Sequence, residues 1–381
     1  MKKIVIAMIE AGGGHKSPAF AVAESLREVS DSEVQIEVMD FCREVGAEKI
    51  DRMHKEGWER ALARPKYVRF MYGVADFFGP FTRAVISVLF LGFFKKARIW
   101  LDENPPDLFF STHFLTGAAA VYAKKRTAGL SFPIIMYGTE PNDISSLWLW
   151  KGIDRLIVSS DKAAAKAVRK GMREEQVMVA GYPVRPSFFT NLRDRDTVRR
   201  ELNIEPDKTT LLLSAGAQGV QRMAGYVDIL IERDVPVNCI IVCGRNEHLF
   251  YELSGKGKDA AGNRHIKIMP LGYVSNMNEL LSISDLACLK AGPASTYEAL
   301  FFGIPVVFFH FVENEKANID FVLENGIGWY APAPEDLAAL LEEVLASGGA
   351  EIEARKRRIE GLGLHNGAPE IANYLADYHL N

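Results

Sequence analysis

Two stretches of the chain carry residue types suited to holding a charged ligand and moving a proton. The first is 10-EAGGGHKSPAF-20, which follows the apolar run Ile4–Ile9. Lys16-Ser17 behind a run of glycines resembles a phosphate loop, whose G-x-x-x-x-G-K-[ST] pattern lets backbone amides wrap the phosphates while the lysine reaches them. Here His15 stands where the glycine before the lysine belongs, and Pro18 follows at once. The usual wrap is therefore not available, and the dinucleotide pattern GxGxxG is absent as well. What remains is still pointed. Gly12, Gly13 and Gly14 let a ligand come close to the backbone, and Ser17-Pro18 are expected to open a helix whose amino end favours negative charge. His15 falls at the carboxyl end of the first strand, where open α/β sheets bind ligands. A tight turn with a surface histidine is the plainer alternative, and three consecutive glycines weigh against it.

The second stretch is 290-KAGPASTYEALFFGIPVVFFH-310. A strand ending at Leu289, a Gly-Pro turn and a helix opened by Ala294-Ser295-Thr296 would offer amides and two hydroxyls to a diphosphate. Glu298, in the first turns, could bond a ribose diol, or it could only complement the helix dipole. A further strand leads to 311-FVENEKANID-320, where Asn314, Glu315 and Asn318 stand at i, i+1 and i+4. At that spacing they can share one polar edge, which suits sugar hydroxyls.

The elements that must position these residues follow from hydrophobic patterning. Ile4–Ile9, Val34–Met39, Leu108–Ser111, Ile134–Tyr137, Leu156–Ser159 and Val177–Ala180 read as strands, with helices between them, the first over Pro18–Val29. Runs apolar on both faces and alternating with helices indicate parallel sheets in an α/β layer fold. The pattern pauses at 181-GYPVRPSFFTNLRDRD-196, rich in Pro, Gly and charge, and then restarts. Thr209–Ser214, Cys239–Cys243, Ile266–Met269, Leu286–Leu289 and Val306–Phe309 form the second series of strands. The expected organisation is a Rossmann-like domain over 1–188, a second over 189–350, and a helical tail over 351–381 that can pack back on the first.

Bulk properties narrow the function classes. The net charge is −4, but residues 1–190 hold 27 Lys+Arg against 22 Asp+Glu, while the remainder holds 18 against 27. A mildly basic first half suits an anionic lipid surface; no basic–aromatic cluster of a nucleic-acid module accompanies it, so nucleic acid is not expected as a partner. Cys42, Cys239, Cys243 and Cys288 form no CxxC pair, which points to buried thiols in a reduced, cytosolic protein. The eight histidines lack metal-ligand spacing, so no metal site is expected. The amino terminus does not read as a signal peptide. The uncharged run 84-AVISVLFLGFF-94 is too short to span a bilayer, which takes about 20 residues. It reads either as a buried core helix or as an interfacial helix, given the aromatic and basic residues in 65-PKYVRFMYGVADFFGPFTR-83.

Taken together, these motifs resemble the GT-B glycosyltransferases. The residues that carry the resemblance are 12-GGGHKS-17, 111-STHF-114, 181-GYPVRPSF-188, 214-SAGAQG-219, 292-GPAST-296 with Glu298, and Asn314-Glu315 with Asn318. The nearest pattern is that of the diacylglycerol glycosyltransferases, with the peptidoglycan N-acetylglucosaminyltransferase more distant. The resemblance implies two Rossmann-like domains facing across a cleft. It also implies a UDP-sugar as co-substrate on the C-terminal domain, with no further cofactor.

On that pattern, Gly14, Gly216, Gln218, Gly292, Ala294, Ser295, Thr296 and Arg245 would surround the diphosphate. Gly272-Tyr273-Val274 would meet the base, Glu298 the ribose, and Asn314, Glu315 and Asn318 the sugar. A lipid acceptor such as diacylglycerol would lie by Gly12, Gly13 and His113, with residues 65–96 at the inner face of the cell membrane. This shifts the reading of 84–94 towards an interfacial helix. Where the family shows Thr-Asp and then His-x-x-Trp, this chain has 137-YGTEPNDISSLW-148, with Glu140 for the aspartate and no histidine. Candidates for the base of an inverting transfer are His15 and Glu140, then Asp143. A nucleotide-sugar epimerase of the same fold and a non-catalytic nucleotide-sugar-binding protein are the alternatives.

Overall fold

The computed structural model describes residues 2–10, 13–30, 33–62, 70–71, 73–74, 76–216, 219–260 and 265–380. The chain divides into two compact units. The first comprises Met1–Pro186, Val312–Asn314 and His365–Asn381; the second comprises Ser187–Phe311 and Glu315–Leu364.

The first unit is built on six strands: β1 (Lys2–Met8), β2 (Val34–Asp40), β3 (Leu108–Ser111), β4 (Ile134–Tyr137), β5 (Arg155–Val158) and β6 (Val177–Val179). Their spatial order is β2-β1-β3-β4-β5-β6, and every pairing is parallel. Parallel strands need crossover helices on both faces, which is why Ile4–Ile9 and Phe109–Phe110 are buried on both sides. The helices are α1 (Gly13–Val29), α2 (Phe41–Glu44), α3 (Glu48–Leu62), α4 (Gly79–Leu89), α5 (Leu91–Glu103), α6 (Phe114–Arg126) and α7 (Asp161–Arg169).

The second unit repeats the plan. It contains β7 (Thr209–Ser214), β8 (Val237–Val242), β9 (Lys267–Leu271), β10 (Leu286–Lys290), β11 (Val306–His310) and β12 (Gly328–Tyr330), in the order β12-β11-β10-β7-β8-β9. All of these pairings are parallel too. Its helices are α8 (Arg195–Glu201), α9 (Met223–Glu232), α10 (Glu247–Ala260), α11 (Met277–Ser282), α12 (Pro293–Phe301), α13 (Lys316–Glu324), α14 (Pro334–Ala346) and α15 (Ala350–Gly361). Two buried clusters, one on each face of this sheet, are built from its Val, Ile and Leu residues. The four cysteines are free and buried.

Three local features differ from the sequence expectation. Helix α1 starts at Gly13, not at Pro18, so His15 lies in its first turn and Pro18 inside it. Proline has no N–H, so the Gly14 carbonyl four residues back loses its helical partner there. The apolar run 84–94 is not one helix: it breaks at Phe90 between α4 and α5. Phe93 and Phe94 of α5 are core residues, whereas Phe81, Val85, Val88 and Leu89 of α4 are exposed. The carboxyl-terminal region is also split. Helix α15 stays with the second unit, while α16 (Ala368–Leu380) belongs to the first and packs against α1. Among the described residues, no helix is long and apolar enough to cross a membrane.

Chain entry into α16 is set by backbone contact. A Cβ on Gly367 would stand 1.8 Å from the Gly181 carbonyl oxygen, and one on Gly181 would stand 2.2 Å from that of His365. Asn366 fixes the same crossing by donating from Nδ2 to the Val184 carbonyl and accepting the Val184 amide at Oδ1. Gly367→Ala is expected to destabilise the first unit by about 2 kcal/mol or more, because backbone atoms cannot step aside as a flexible side chain can. Thermal unfolding, with limited proteolysis at the α16 junction, measures it.

Candidate active site

An open parallel sheet leaves a crevice where the strand order reverses, beyond the carboxyl ends of the strands. In the first unit that point lies between β1 and β3, and His15 and Thr112 meet there. His15 Nδ1 is 2.7 Å from the Thr112 carbonyl oxygen and 3.2 Å from Thr139 Oγ1. The Thr112 hydroxyl in turn donates to the His15 carbonyl at 2.9 Å. A carbonyl oxygen can only accept, so the neutral ring carries its proton on Nδ1 and its basic lone pair on Nε2.

His113 shows the opposite tautomer, since its Nδ1 accepts the Leu115 amide at 3.2 Å as the amino-terminal cap of α6. Its ring lies 4.4 Å from that of His15, between His15 and Phe114. Trp148, almost fully buried, lies 6.1 Å from His15 on another side. Gly13 and Gly14 have open space where a Cβ would be. Lys16 is not turned towards a phosphate; it is ion-paired with Glu10, as is Arg43.

In the second unit the order reverses between β7 and β10. Gly216, after β7, adopts φ +83° with open space around its missing Cβ. That conformation suits glycine, and it leaves the backbone open to a bulky anion. Gly219 is required for a different reason: a Cβ there would meet the Cys243 carbonyl oxygen at 2.1 Å. After β10, Gly292 caps α12, and its carbonyl accepts the Thr296 amide at 3.1 Å and the Thr296 hydroxyl at 2.7 Å. The Ala294 and Ser295 amides are therefore the first-turn donors without a helical acceptor. Asn318 Nδ2 donates to the Ala291 carbonyl at 2.8 Å, and Lys290 Nζ pairs with Glu315 Oε1 at 2.7 Å. Arg245 lies over the exposed ring of Tyr273, 5.1 Å from its centroid.

The first of these arrangements falls within the stretch of the chain that matches a known family. The family model of monogalactosyldiacylglycerol (MGDG) synthase matches residues 15–184, which include His15 and the 111–114 and 137–148 segments. A probable monogalactosyldiacylglycerol synthase from Glycine max is 26% identical over 353 residues, 90% of this chain and 65% of the relative. Monogalactosyldiacylglycerol synthase 3 from Arabidopsis thaliana is 25% identical over 374 residues, covering 93% and 76%. Among solved structures, MurG from Acinetobacter baumannii superposes with a TM-score of 0.62 at 14% identity, covering 98% of this chain and 99% of its own. The chain is thus similar to the monogalactosyldiacylglycerol synthases and shares the two-domain fold of MurG. It spans just under two thirds of the soybean relative's length. An S. aureus MnaA–UDP co-structure shares the fold with a TM-score of 0.61 at 14% identity, covering 99% of this chain and 97% of its own.

Several residues expected to touch substrate are occupied by the fold. Thr296 is fully buried on the Gly292 carbonyl, and Asn318 is 3% exposed and spent on Ala291, so both hold the 290–296 turn in shape. His113, 2% exposed, caps α6 and walls His15. Of the three residues expected to open this helix, Ala294 and Ser295 keep open amides, whereas the Thr296 amide is bonded to the Gly292 carbonyl. Glu298 is part-buried on α12, Glu315 is nearly buried, and Gly272 and Val274 follow β9. Asn314, in the short 3-10 turn after β11, has a buried Oδ1 without a hydrogen-bond partner among the described residues. Gly12 and Gln218 lie outside the described residues.

Sequence reasoning assigned no role to Lys290, His310 and Arg222. Lys290 and His310 end adjacent strands and pair across a register shift that follows Leu289. Burial lowers the His310 pKa, and the positive charges of Lys290 and Arg222 lower it further. A lysine terminating an otherwise apolar strand (LACLK) was the available signal.

The other two base candidates are now distinct. Asp143 is held by Lys166 Nζ at 2.8 and 3.0 Å. Glu140 Oε2 accepts the Ser145 amide at 2.8 Å. Burial pushes its carboxyl up to about 7; the Ser145 amide opposes that, Asp143 adds to it, Lys166 opposes it and Asp76 adds to it. A carboxyl raised in the folded state binds a proton that the unfolded chain has already released. Stability therefore falls as pH rises from about 4.5 to about 7. Glu140→Gln is expected to be more stable than the parent at pH 8, by up to about 3 kcal/mol, with the gap closing near pH 4. Urea unfolding midpoints at the two pH values measure this.

Proposed function

We propose that this protein is a glycosyltransferase that moves a hexose from a UDP-sugar to the hydroxyl of a lipid such as diacylglycerol, with inversion at the anomeric carbon. The observation that carries the reading is the hydrogen bond from His15 Nδ1–H to the Thr112 carbonyl. It orients the imidazole and leaves Nε2 as the proton acceptor, the arrangement a general base needs. In the step itself the acceptor O–H proton passes to Nε2. The hydroxyl oxygen bonds the anomeric carbon as its bond to the diphosphate oxygen breaks, and the electron pair leaves with UDP. Glu140, whose carboxyl is raised to about 7, is about half ionised near neutral pH and stands as the second base candidate, with one oxygen accepting the Ser145 amide. Asp143 suits the role less, being tied to Lys166.

On the donor side, charge building on the departing diphosphate would be met by the Ala294 and Ser295 amides at the start of α12, with Arg245 and the open turn at Gly216. The unpaired Asn314 Oδ1 and the Glu315 carboxylate are acceptors of the kind that sugar hydroxyls satisfy. Glu298 on α12 is assigned to the ribose, and the backbone at Gly272-Tyr273-Val274 to the base.

A lipid substrate has to be reached at a membrane. The exposed face of α4 and the residues before it carries Phe77, Phe78, Phe81, Val85, Val88 and Leu89, spaced about one turn apart. Phe77 is 79% exposed and Val88 is 74% exposed, an arrangement unfavourable in water but suited to the acyl–headgroup boundary. Lys95 flanks it in α5. Peripheral attachment through this face is part of the reading. Residues 65–69, 72 and 75 of the segment assigned to the membrane lie outside the described residues.

Two outcomes are expected. His15→Ala should lower kcat by about 10²–10⁴ while the affinity for the nucleotide sugar stays within about two-fold. The assay is transfer from UDP-galactose and UDP-glucose to diacylglycerol micelles, with donor affinity measured separately by calorimetry. A fall under about ten-fold would remove His15 as the base. Phe81→Asp and Val88→Asp, both on the exposed face, should each weaken vesicle binding by about ten-fold or more with an unchanged circular dichroism spectrum. Vesicle sedimentation reads the effect.

A further inference from the structure

The inward side of α4 is fastened to the loop that flanks His15, by groups the transfer chemistry does not use. Asp76 Oδ1 accepts the Ser146 amide at 2.8 Å, and Arg83 Nη1 donates to the Ser146 carbonyl at 2.9 Å. Both backbone groups of Ser146 are thus held from the α4 side. Gly79, at the start of the helix, allows the approach: a Cβ there would stand 3.2 Å from Ser146 Cβ and 3.3 Å from Arg83 Nη1. The second Asp76 oxygen pairs with Lys166 at 2.7 Å, and Lys166 bridges on to Asp143 in the same loop. Lys170 Nζ donates to the Asp76 carbonyl at 2.6 Å.

The loop itself, 139–148, touches His15 near both ends. Thr139 Oγ1 lies 3.2 Å from Nδ1, and the Trp148 ring, which closes the turn begun at Ser146, lies 6.1 Å from the imidazole. A continuous path of contacts therefore runs from an outward-facing apolar helix, through one serine, to the base. Hydrogen bonds to charged groups are the stronger kind, so the joint is stiff for its size.

We propose that Asp76 and Arg83 are positioning residues for the transfer step: together they clamp Ser146, so that seating α4 at a bilayer orders the 139–148 loop against His15. This rests on α4 being the lipid face, as argued above, and on the clamp carrying the effect inward. A ligand surface shifts such an equilibrium only by its differential interaction with the two states. Vesicles supply that difference only if the loop is better ordered when α4 is seated.

The test is hydrogen exchange of the Ser145, Ser146 and Leu147 amides, with and without vesicles of phosphatidylglycerol and phosphatidylcholine in equal parts, paired with sedimentation. In the parent protein, vesicles should slow exchange at these amides by about ten-fold. Asp76→Ala and Arg83→Met should sediment with vesicles as the parent does, yet lose the slowing, and Arg83→Lys should restore most of it. With diacylglycerol in the same vesicles, kcat should fall about ten-fold in the two disrupted variants at an unchanged KM for the nucleotide sugar. Sedimentation of the parent with no change in loop exchange would overturn the clamp and leave the lipid face standing. Failure of the parent to sediment would overturn the lipid face and the clamp with it. An Arg83→Met protein that matches the parent in exchange and kcat would also overturn the clamp.

Discussion

Every strand pairing among the described residues is parallel, and much else follows from that constraint. A parallel neighbour can be reached only by a crossover, so each sheet must be covered on both faces and all carboxyl ends emerge along one edge. Where the strand order turns back, two successive crossovers leave on opposite faces and the edge opens. Between β1 and β3 that opening receives the first turn of α1; between β7 and β10 it receives the Gly216 turn and the start of α12. His15 in the first unit, and Gly216 and the open amides of α12 in the second, lie where the topology leaves room for a ligand.

Within the first opening, one carbonyl decides what the histidine can do. The last residues of β3 run on into Thr112, whose carbonyl oxygen meets His15 Nδ1 while its hydroxyl returns a bond to the His15 backbone. A backbone carbonyl cannot donate, so the tautomer is set by the sheet itself. Neighbouring His113 takes the other tautomer because it serves a helix cap. Two imidazoles 4.4 Å apart thus have different assignments through their different hydrogen-bond partners. In the second unit the corresponding work is done by packing. Asn318, Thr296 and the Lys290–Glu315 pair all hold the 290–296 turn so that its open amides keep their direction.

The α4–α5 region shows a short apolar run divided between two environments. The break at Phe90 lets Phe93 and Phe94 enter the core while Phe81, Val88 and Leu89 remain outside. The interior accepts the second helix because its Phe93 and Trp100 both meet Phe41 edge to face, and Phe41 in turn meets Phe109. Among the described residues, no comparable aromatic cluster closes over Phe81, Val85, Val88 and Leu89 of the first helix.

Much of this protein could be read from its sequence. Period-two and continuous apolar runs placed Leu108–Ser111, Ile134–Tyr137 and Thr209–Ser214 with their observed ends, because buried parallel strands leave an unbroken hydrophobic record. The three-residue β12 left none, being too short to show a period. Glycines marked the turn after β7, since glycine suits the left-handed conformation at Gly216 and the close approach at Gly219. Tertiary structure alone decided which of the marked side chains remain available. Thr296 and Asn318 look like ligand contacts in sequence but are consumed by carbonyls brought near by the fold, and Lys290 gains its importance only beside His310 and Glu315. Likewise no local pattern could have paired His15 with a carbonyl ninety-seven positions away. Hydrogen bonding depends on tenths of an ångström between segments distant in sequence, whereas burial and turn geometry are properties of each segment by itself.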